Sequence, residues 1–141
     1  MMQRSFIPIA AALFAATACP AVAAQWDVTN DKGLLIHRLK AEDLRVTVVC
    51  DPEGAFTPPQ NYLFVEQNGQ RVETGVLNVS GDDRTVALPI EGAAVLPSEN
   101  VEGWNTSMKL LFGGGAVTLA LGQASVAVDV ERTNNSCTAT G

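Results

Sequence analysis

Tyr62-Leu63-Phe64-Val65-Glu66-Gln67-Asn68-Gly69-Gln70-Arg71-Val72-Glu73-Thr74 is the stretch that sets the fold class. Asn-Gly sits between two runs of alternating apolar and polar residues. Both turn positions tolerate positive φ, so a two-residue type I′ turn joins two antiparallel strands. The turn fixes a register: Gln67 faces Gln70, Glu66 faces Arg71, Val65 faces Val72 and Leu63 faces Thr74. An opposite-charge pair then lies on one face and an apolar pair on the other, each contributing about 0.2–1 kcal/mol.

Working outward, the same grammar recurs. In Leu44-Arg45-Val46-Thr47-Val48-Val49-Cys50, Leu44, Val46, Val48 and Cys50 share one face at period two, which turns Cys50 toward the core. Upstream, Gly33 introduces the apolar run Leu34 to Leu39, with Lys40-Ala41-Glu42-Asp43 as a polar break after it. Trp26 and Val28 alternate with polar residues as a short first strand, the alternative being that Trp26 instead plugs one end of the core. Asp51 to Pro59 holds three prolines and a glycine and reads as a loop.

Downstream, Val76 to Val79, the turn Ser80-Gly81-Asp82-Asp83 and Arg84 to Ile90 form a second hairpin. Val86, Leu88 and Ile90 share a face, and Pro89, which has no N–H, assigns this strand to an edge or ends it there. The period then changes. Ser98 caps a helix with Glu99 and Glu102 in its first turn. Val101, Trp104, Met108 and Leu111 form its apolar stripe, and Gly113-Gly114-Gly115 ends it. Ala116 to Leu121 is a strand closed by Gly122. Beyond it, Val126, Val128 and Val130 alternate with Ala127 and Asp129, a strand pattern. Val126, Ala127, Val130 and Cys137 also fit one helical face, so residues 123–137 stay open between strand and helix, with the period favouring the strand. The expected fold is mainly β: an antiparallel meander or small β-sandwich with one or two short helices in the C-terminal third.

The first residues read as an export signal. Arg4 supplies the positive charge, Ser5 to Ala18 are almost wholly apolar, and Ala21-Val22-Ala23-Ala24 offers small-residue cleavage sites after Ala23 or Ala24. The apolar run is shorter than the roughly 20 residues a membrane-spanning helix needs. Residues 1–24 are therefore expected to be a signal peptide, and residues 25–141 a single β-rich domain in the periplasm. Ala16-Thr17-Ala18-Cys19 faintly resembles a lipobox, so a lipoprotein anchored at Cys19 is the alternative.

Composition narrows the function. The chain has 141 residues, 15 acidic and 9 basic side chains, and a formal net charge of -6. Without a Lys/Arg cluster, such a domain repels phosphate backbones, which disfavours nucleic acid and a polybasic membrane-surface role. No segment after the leader is long and apolar enough for a transmembrane helix. Cleavage leaves two cysteines, Cys50 and Cys137, an even pair expected to form one disulfide in an oxidising compartment.

Chemical motifs are sparse. No G-x-S-x-G, P-loop, HExxH, EF-hand loop or dinucleotide fingerprint occurs. A Ser-His-Asp triad would have to use His37, the sole histidine, and no activated-serine motif partners it. Asp82-Asp83 and Glu42-Asp43 read as solvated turn carboxylates, and no metal or cofactor is expected. A ligand platform would draw on Trp26, Tyr62 and Trp104. The expected function is thus a non-enzymatic periplasmic accessory or binding domain, acting through protein–protein contacts with an unidentified envelope partner. The alternative is binding of a small ligand or glycan, or inhibition of an envelope-directed enzyme.

The order LRVTVVC (44–50), MKLLFGGG (108–115) and VTLALG (117–122), followed by Ala127 and Cys137, resembles small proteobacterial periplasmic β-proteins of the invasion-associated locus B and type VI secretion accessory kind. That resemblance implies an envelope accessory or binding role, no catalytic residues, and a terminal helix after Gly122 that a cysteine ties back.

Overall fold

A computed structural model describes residues 22–134 and 137–139. Among the described residues, ten strands form two five-stranded sheets. Sheet A contains β1 (Val22–Ala24), β7 (Gly75–Gly81), β8 (Arg84–Ile90), β9 (Gly115–Leu121) and β10 (Ala124–Val130), in the order β1-β10-β9-β7-β8. Sheet B contains β2 (Trp26–Asp31), β3 (Leu34–Ala41), β4 (Leu44–Cys50), β5 (Tyr62–Gln67) and β6 (Gln70–Arg71) in sequence order. All pairings are antiparallel except β1 on β10.

Alternation builds the core from both sheets. Leu39, Val46, Val48, Leu63 and Val65 face in from sheet B; Leu77, Val79, Leu88, Ile90, Val117, Leu119 and Val128 face in from sheet A. Only sheet B is a meander: in sheet A β9 pairs with β7 rather than with β8, and the chain leaves sheet B after β6 to start sheet A at β7. β1 and β2 are consecutive yet lie in different sheets. β1 falls inside the segment read as the leader.

The Asn-Gly hairpin has the expected turn, with φ of 52° at Asn68 and 77° at Gly69, and Gln67–Gln70 and Glu66–Arg71 are register pairs. It is shorter than its pattern implies. β6 ends at Arg71, Val72 keeps one bond to the Val65 carbonyl, and Leu63 pairs with Val95 rather than Thr74. The second hairpin turns on Asp82-Asp83 alone, both with positive φ, so Ser80 and Gly81 belong to β7. Lys40 and Ala41 likewise extend β3, and only Glu42-Asp43 remains as a turn. Pro89 lies on edge strand β8 as expected.

Pro97–Glu99 is a 3-10 turn, and helix α1 follows at Val101–Phe112. Its cap is Asn100, not Ser98: the Asn100 Oδ1 accepts the Gly103 N–H at 3.0 Å. A Cβ on Gly103 would strike the Asn100 side chain, which explains a glycine inside a helix. Trp104, Met108 and Leu111 are buried as the stripe predicts, and α1 packs against β7 and β8. The C-cap Gly113 closes the last helical bond, and two of the carbonyls that a helix end leaves unpaired find partners beyond it. The Lys109 carbonyl accepts from Gly113 N–H, the Phe112 carbonyl from Thr133 N–H at 3.0 Å, and the Leu111 carbonyl from Trp26 Nε1 at 3.0 Å.

Residues 124–130 form a strand, not the terminal helix that the resemblance implies. Val126, Val128 and Val130 point inward and Ser125, Ala127 and Asp129 outward, as the valine alternation requires. The cysteine tie does exist: Cys50 and Cys137 form a disulfide that joins the end of β4 to the tail. Trp104 Nε1 donates to the Cys137 carbonyl at 2.7 Å. Asn105 holds the Ala139 backbone through two hydrogen bonds.

Candidate functional site

The structure does not bring Trp26, Tyr62 and Trp104 together. Trp104 is 0 % exposed, inside the core with its indole N–H satisfied. Trp26 lies on the inward side of β2, half-buried and stacked on Phe112 at 4.5 Å between ring centroids. Tyr62 is on the opposite, outward side of sheet B, since its register partner is Val49 and not a core-facing residue. Trp26 therefore does seal an end of the core, against the last turn of α1.

His37 belongs to that seal. Its ring meets Phe112 edge-on at 5.1 Å and Trp26 at 6.2 Å, and its Nδ1 lies 4.0 Å from Cys50 Sγ. A disulfide sulfur has no proton to donate, so this is packing rather than a thiol–imidazole pair. None of these neighbours is a carboxylate or hydroxyl, so the geometry around His37 is that of a core residue. Burial pushes the His37 pKa below 6.5, and hydrogen bonds to the Val48 and Leu35 backbones offset only part of that.

A stability prediction follows from this sign. The unfolded chain binds a proton at His37 more readily than the fold does. Stability from this site is thus complete above about pH 6.5 and falls as the pH drops below it, levelling off once the folded-state pKa is passed. Urea midpoints measured through this range should slope for the wild-type protein and lose that component in His37→Asn. Equal slopes would mean that His37 is solvated.

Asp51 organises the loop after β4. Its carboxylate accepts the N–H groups of Ala55 at 2.6 Å, Phe56 at 3.0 Å and Gln60 at 3.2 Å. Burial raises its pKa, but these bonds together with the Gly54 backbone outweigh that and hold it below 3.8. Three N–H groups on one carboxylate, with the Gly54 N–H on the Asp51 backbone carbonyl, make it an internal anchor of the loop, whose sequence carries no ligand motif. Asp82-Asp83 and Glu42 are exposed turn residues with positive φ. Among the described residues, no three His, Cys, Asp or Glu side chains converge as a metal site would need.

The surface with the most distinctive chemistry is the outward face of sheet B, which the sequence reading reached only through Tyr62. Its cross-strand rows are Asp27-Arg38-Thr47-Phe64, Thr29-Ile36-Val49-Tyr62 and Lys40-Arg45-Glu66-Arg71. Tyr62 and Phe64 stack at 6.2 Å, and the Arg71 guanidinium lies 4.1 Å from the Phe64 ring centroid. Arg71 also donates from Nε to the Ala93 carbonyl at 3.0 Å, so its orientation is fixed from two sides. The Glu66 carboxylate pairs with Arg45 at 3.4 Å rather than with Arg71. Arg38, Lys40, Arg45 and Arg71 place four of the chain's nine cations on this face. At its centre Thr47 is 1 % exposed, and its hydroxyl has no hydrogen-bond partner in the protein.

Period-two alternation carries this face implicitly. Phe64 and Arg71 lie on opposite arms of the Asn-Gly hairpin, but their stacking depends on Arg71 leaving Glu66 to Arg45, a residue from a different hairpin. No family model, curated protein or solved structure matches this chain.

Proposed function

We propose that this is a non-enzymatic, exported accessory domain of the periplasm that binds a partner protein through the outward face of sheet B. The carrying observation is the half-exposed Tyr62–Phe64 pair, with Arg71 stacked on it and Arg38, Lys40 and Arg45 beside it, in a chain of net charge -6. Aromatic and arginine side chains held in place before contact lose little entropy on binding, and such residues dominate interface energetics. Thr47 adds a buried hydroxyl without a protein partner at the centre of the same face. A partner presenting carboxylates beside an apolar side chain fits this surface. The disulfide suits an oxidising compartment, and no described helix is long and apolar enough to cross a membrane.

The stacked Tyr62–Phe64 rings also favour a second reading, in which a sugar lies on the aromatic pair. One comparison separates the two. The oxidised domain and its Lys40→Glu/Arg71→Glu variant, both changed at exposed residues, are used to capture partners from envelope extract. Protein binding predicts a specific protein retained by wild type and lost by the variant, while the thermal midpoint moves by no more than a few degrees. Retention of the same proteins by both forms sinks the proposal. Loss of a bound glycan with no protein change selects the sugar reading.

A further inference from the structure

The sheet edges are protected unequally. β2 carries Asp27 and Asp31, β6 is two residues long, and β8 holds Pro89 and lies against α1. These are the usual means of keeping an edge from pairing. β10 is the least protected: its sequence ASVAVDV contains no Lys and no Pro, it runs for seven residues, and Asp129 is its single charge. What covers it is β1, three residues opposite Val128, Asp129 and Val130. Among the described residues, nothing pairs with the same edge at Ala124–Ala127.

The cover is also the part of the chain most exposed to removal. Val22–Ala24 lies across the two sites at which the leader is expected to be cut. A leader peptidase that hydrolyses the bond after Ala23 or Ala24, consuming one water, leaves at most Ala24 of this strand. The open cleft lined by Ala23, Ala24, Gln25, Asp129, Val130 and Glu131 then loses the wall that β1 supplies.

We propose that export processing opens the β10 edge, and that the edge then takes up an extended segment of a partner protein as a parallel strand. β1 shows what this edge accepts. It runs parallel to β10, its Ala24 carbonyl accepts the Glu131 N–H at 3.3 Å, and Ala24 is packed in the core while Ala23 is exposed. The incoming segment therefore carries a small uncharged residue in place of Ala24. Its other side chains are less restricted, because main-chain bonds supply the affinity in strand addition. This proposal rests on the leader reading and is independent of the face of sheet B.

The test uses the protein purified after native export. Its mass gives the first residue, and hydrogen exchange reports the Asp129 and Glu131 amides, whose N–H groups point to this edge by strand alternation. The probe is a capped peptide of residues 20–25, with Ala24→Pro and Ala23→Pro peptides as controls. The expected result is a chain starting at Ala24 or Gln25, with the Asp129 amide exchanging fast until the peptide slows it, and the Glu131 amide doing the same where the chain starts at Gln25 and the Ala24 carbonyl is gone. In a strand, the N–H and C=O of one residue point the same way, so Ala24→Pro removes a ladder donor whereas Ala23→Pro removes one facing away. The first should weaken binding about tenfold and the second little. A native chain beginning at or before Val22 overturns the proposal, because the edge never opens. So does an edge already protected in the processed monomer, a peptide without effect, or a concentration-dependent dimer in which a second copy takes the place.

Discussion

Trp104→Ala is expected to lower the unfolding free energy by about 3–5 kcal/mol, as complete truncation of a core aromatic does. Trp104 is the largest of the fully buried side chains and the point where α1 meets the C-terminal tail. Truncation removes its packing and leaves the Cys137 carbonyl, which accepts the indole N–H at 2.7 Å in the native fold, without its donor. An orphaned buried acceptor alone costs about 1–3 kcal/mol. Since domains are stable by only about 5–15 kcal/mol, the alanine variant sits near the limit of folding. Trp104→Phe keeps most of the apolar volume and lacks only the N–H and part of the ring. It should therefore fold, with a loss of roughly 1–3 kcal/mol in urea unfolding. A loss below about 0.5 kcal/mol in Trp104→Phe, of the size seen for surface substitutions, would mean that neither the indole packing nor its bond to the tail contributes.

Trp104 also marks where sequence reasoning reaches and where it stops. Its helical spacing from Val101, Met108 and Leu111 was enough to place it on the buried stripe. Its aromatic nature also made it a candidate for a ligand platform, and one sequence cannot separate those uses, because both need an apolar ring at the same spacing. The strand was legible where apolar residues recur at period two, as in β4, whereas in β10 the valine alternation favoured a strand but Val126, Ala127, Val130 and Cys137 also fitted one helical face. Sheet membership was not legible. Nothing local in Val72-Glu73-Thr74 says that the chain leaves sheet B there, or that Val95 takes the place beside Leu63. Those are long-range choices settled by closing two sheets over one core. The helix cap shifted from Ser98 to Asn100 because Pro97 fits the first turn of the preceding 3-10 segment, while Gly103 leaves room for the asparagine. The binding face was hidden for a similar reason: Phe64, Arg71, Arg45 and Arg38 come from four strands, and only their register makes them neighbours.

Removing the disulfide through Cys50→Ala/Cys137→Ala should cost about 4–5 kcal/mol, the chain-entropy value for a closed loop of this length. The two cysteines are 87 positions apart, so the unfolded chain gains much freedom when the link is lost. The fold loses something more specific. Beyond β10 the described tail is held to the body by Thr133 N–H on the Phe112 carbonyl, by the disulfide, by the Trp104 indole and by Asn105. Without the covalent link the remaining bonds must pay for ordering the described tail by themselves, and each nets only about 0.5–1.5 kcal/mol. The tail should therefore detach before the sheets unfold, and amide protection at Ala139 should vanish while that of β4 and β9 persists. The two largest effects are coupled through the tail. Once the tail is loose, Trp104 no longer has the Cys137 carbonyl to satisfy, so Trp104→Phe should cost about 0.5–2 kcal/mol less in the cysteine-free background than in the oxidised protein. Additive losses would show that the indole holds the helix to the sheets and not the tail to the helix. A native protein with titratable thiols at both cysteines and an unchanged midpoint would remove the staple from the account altogether.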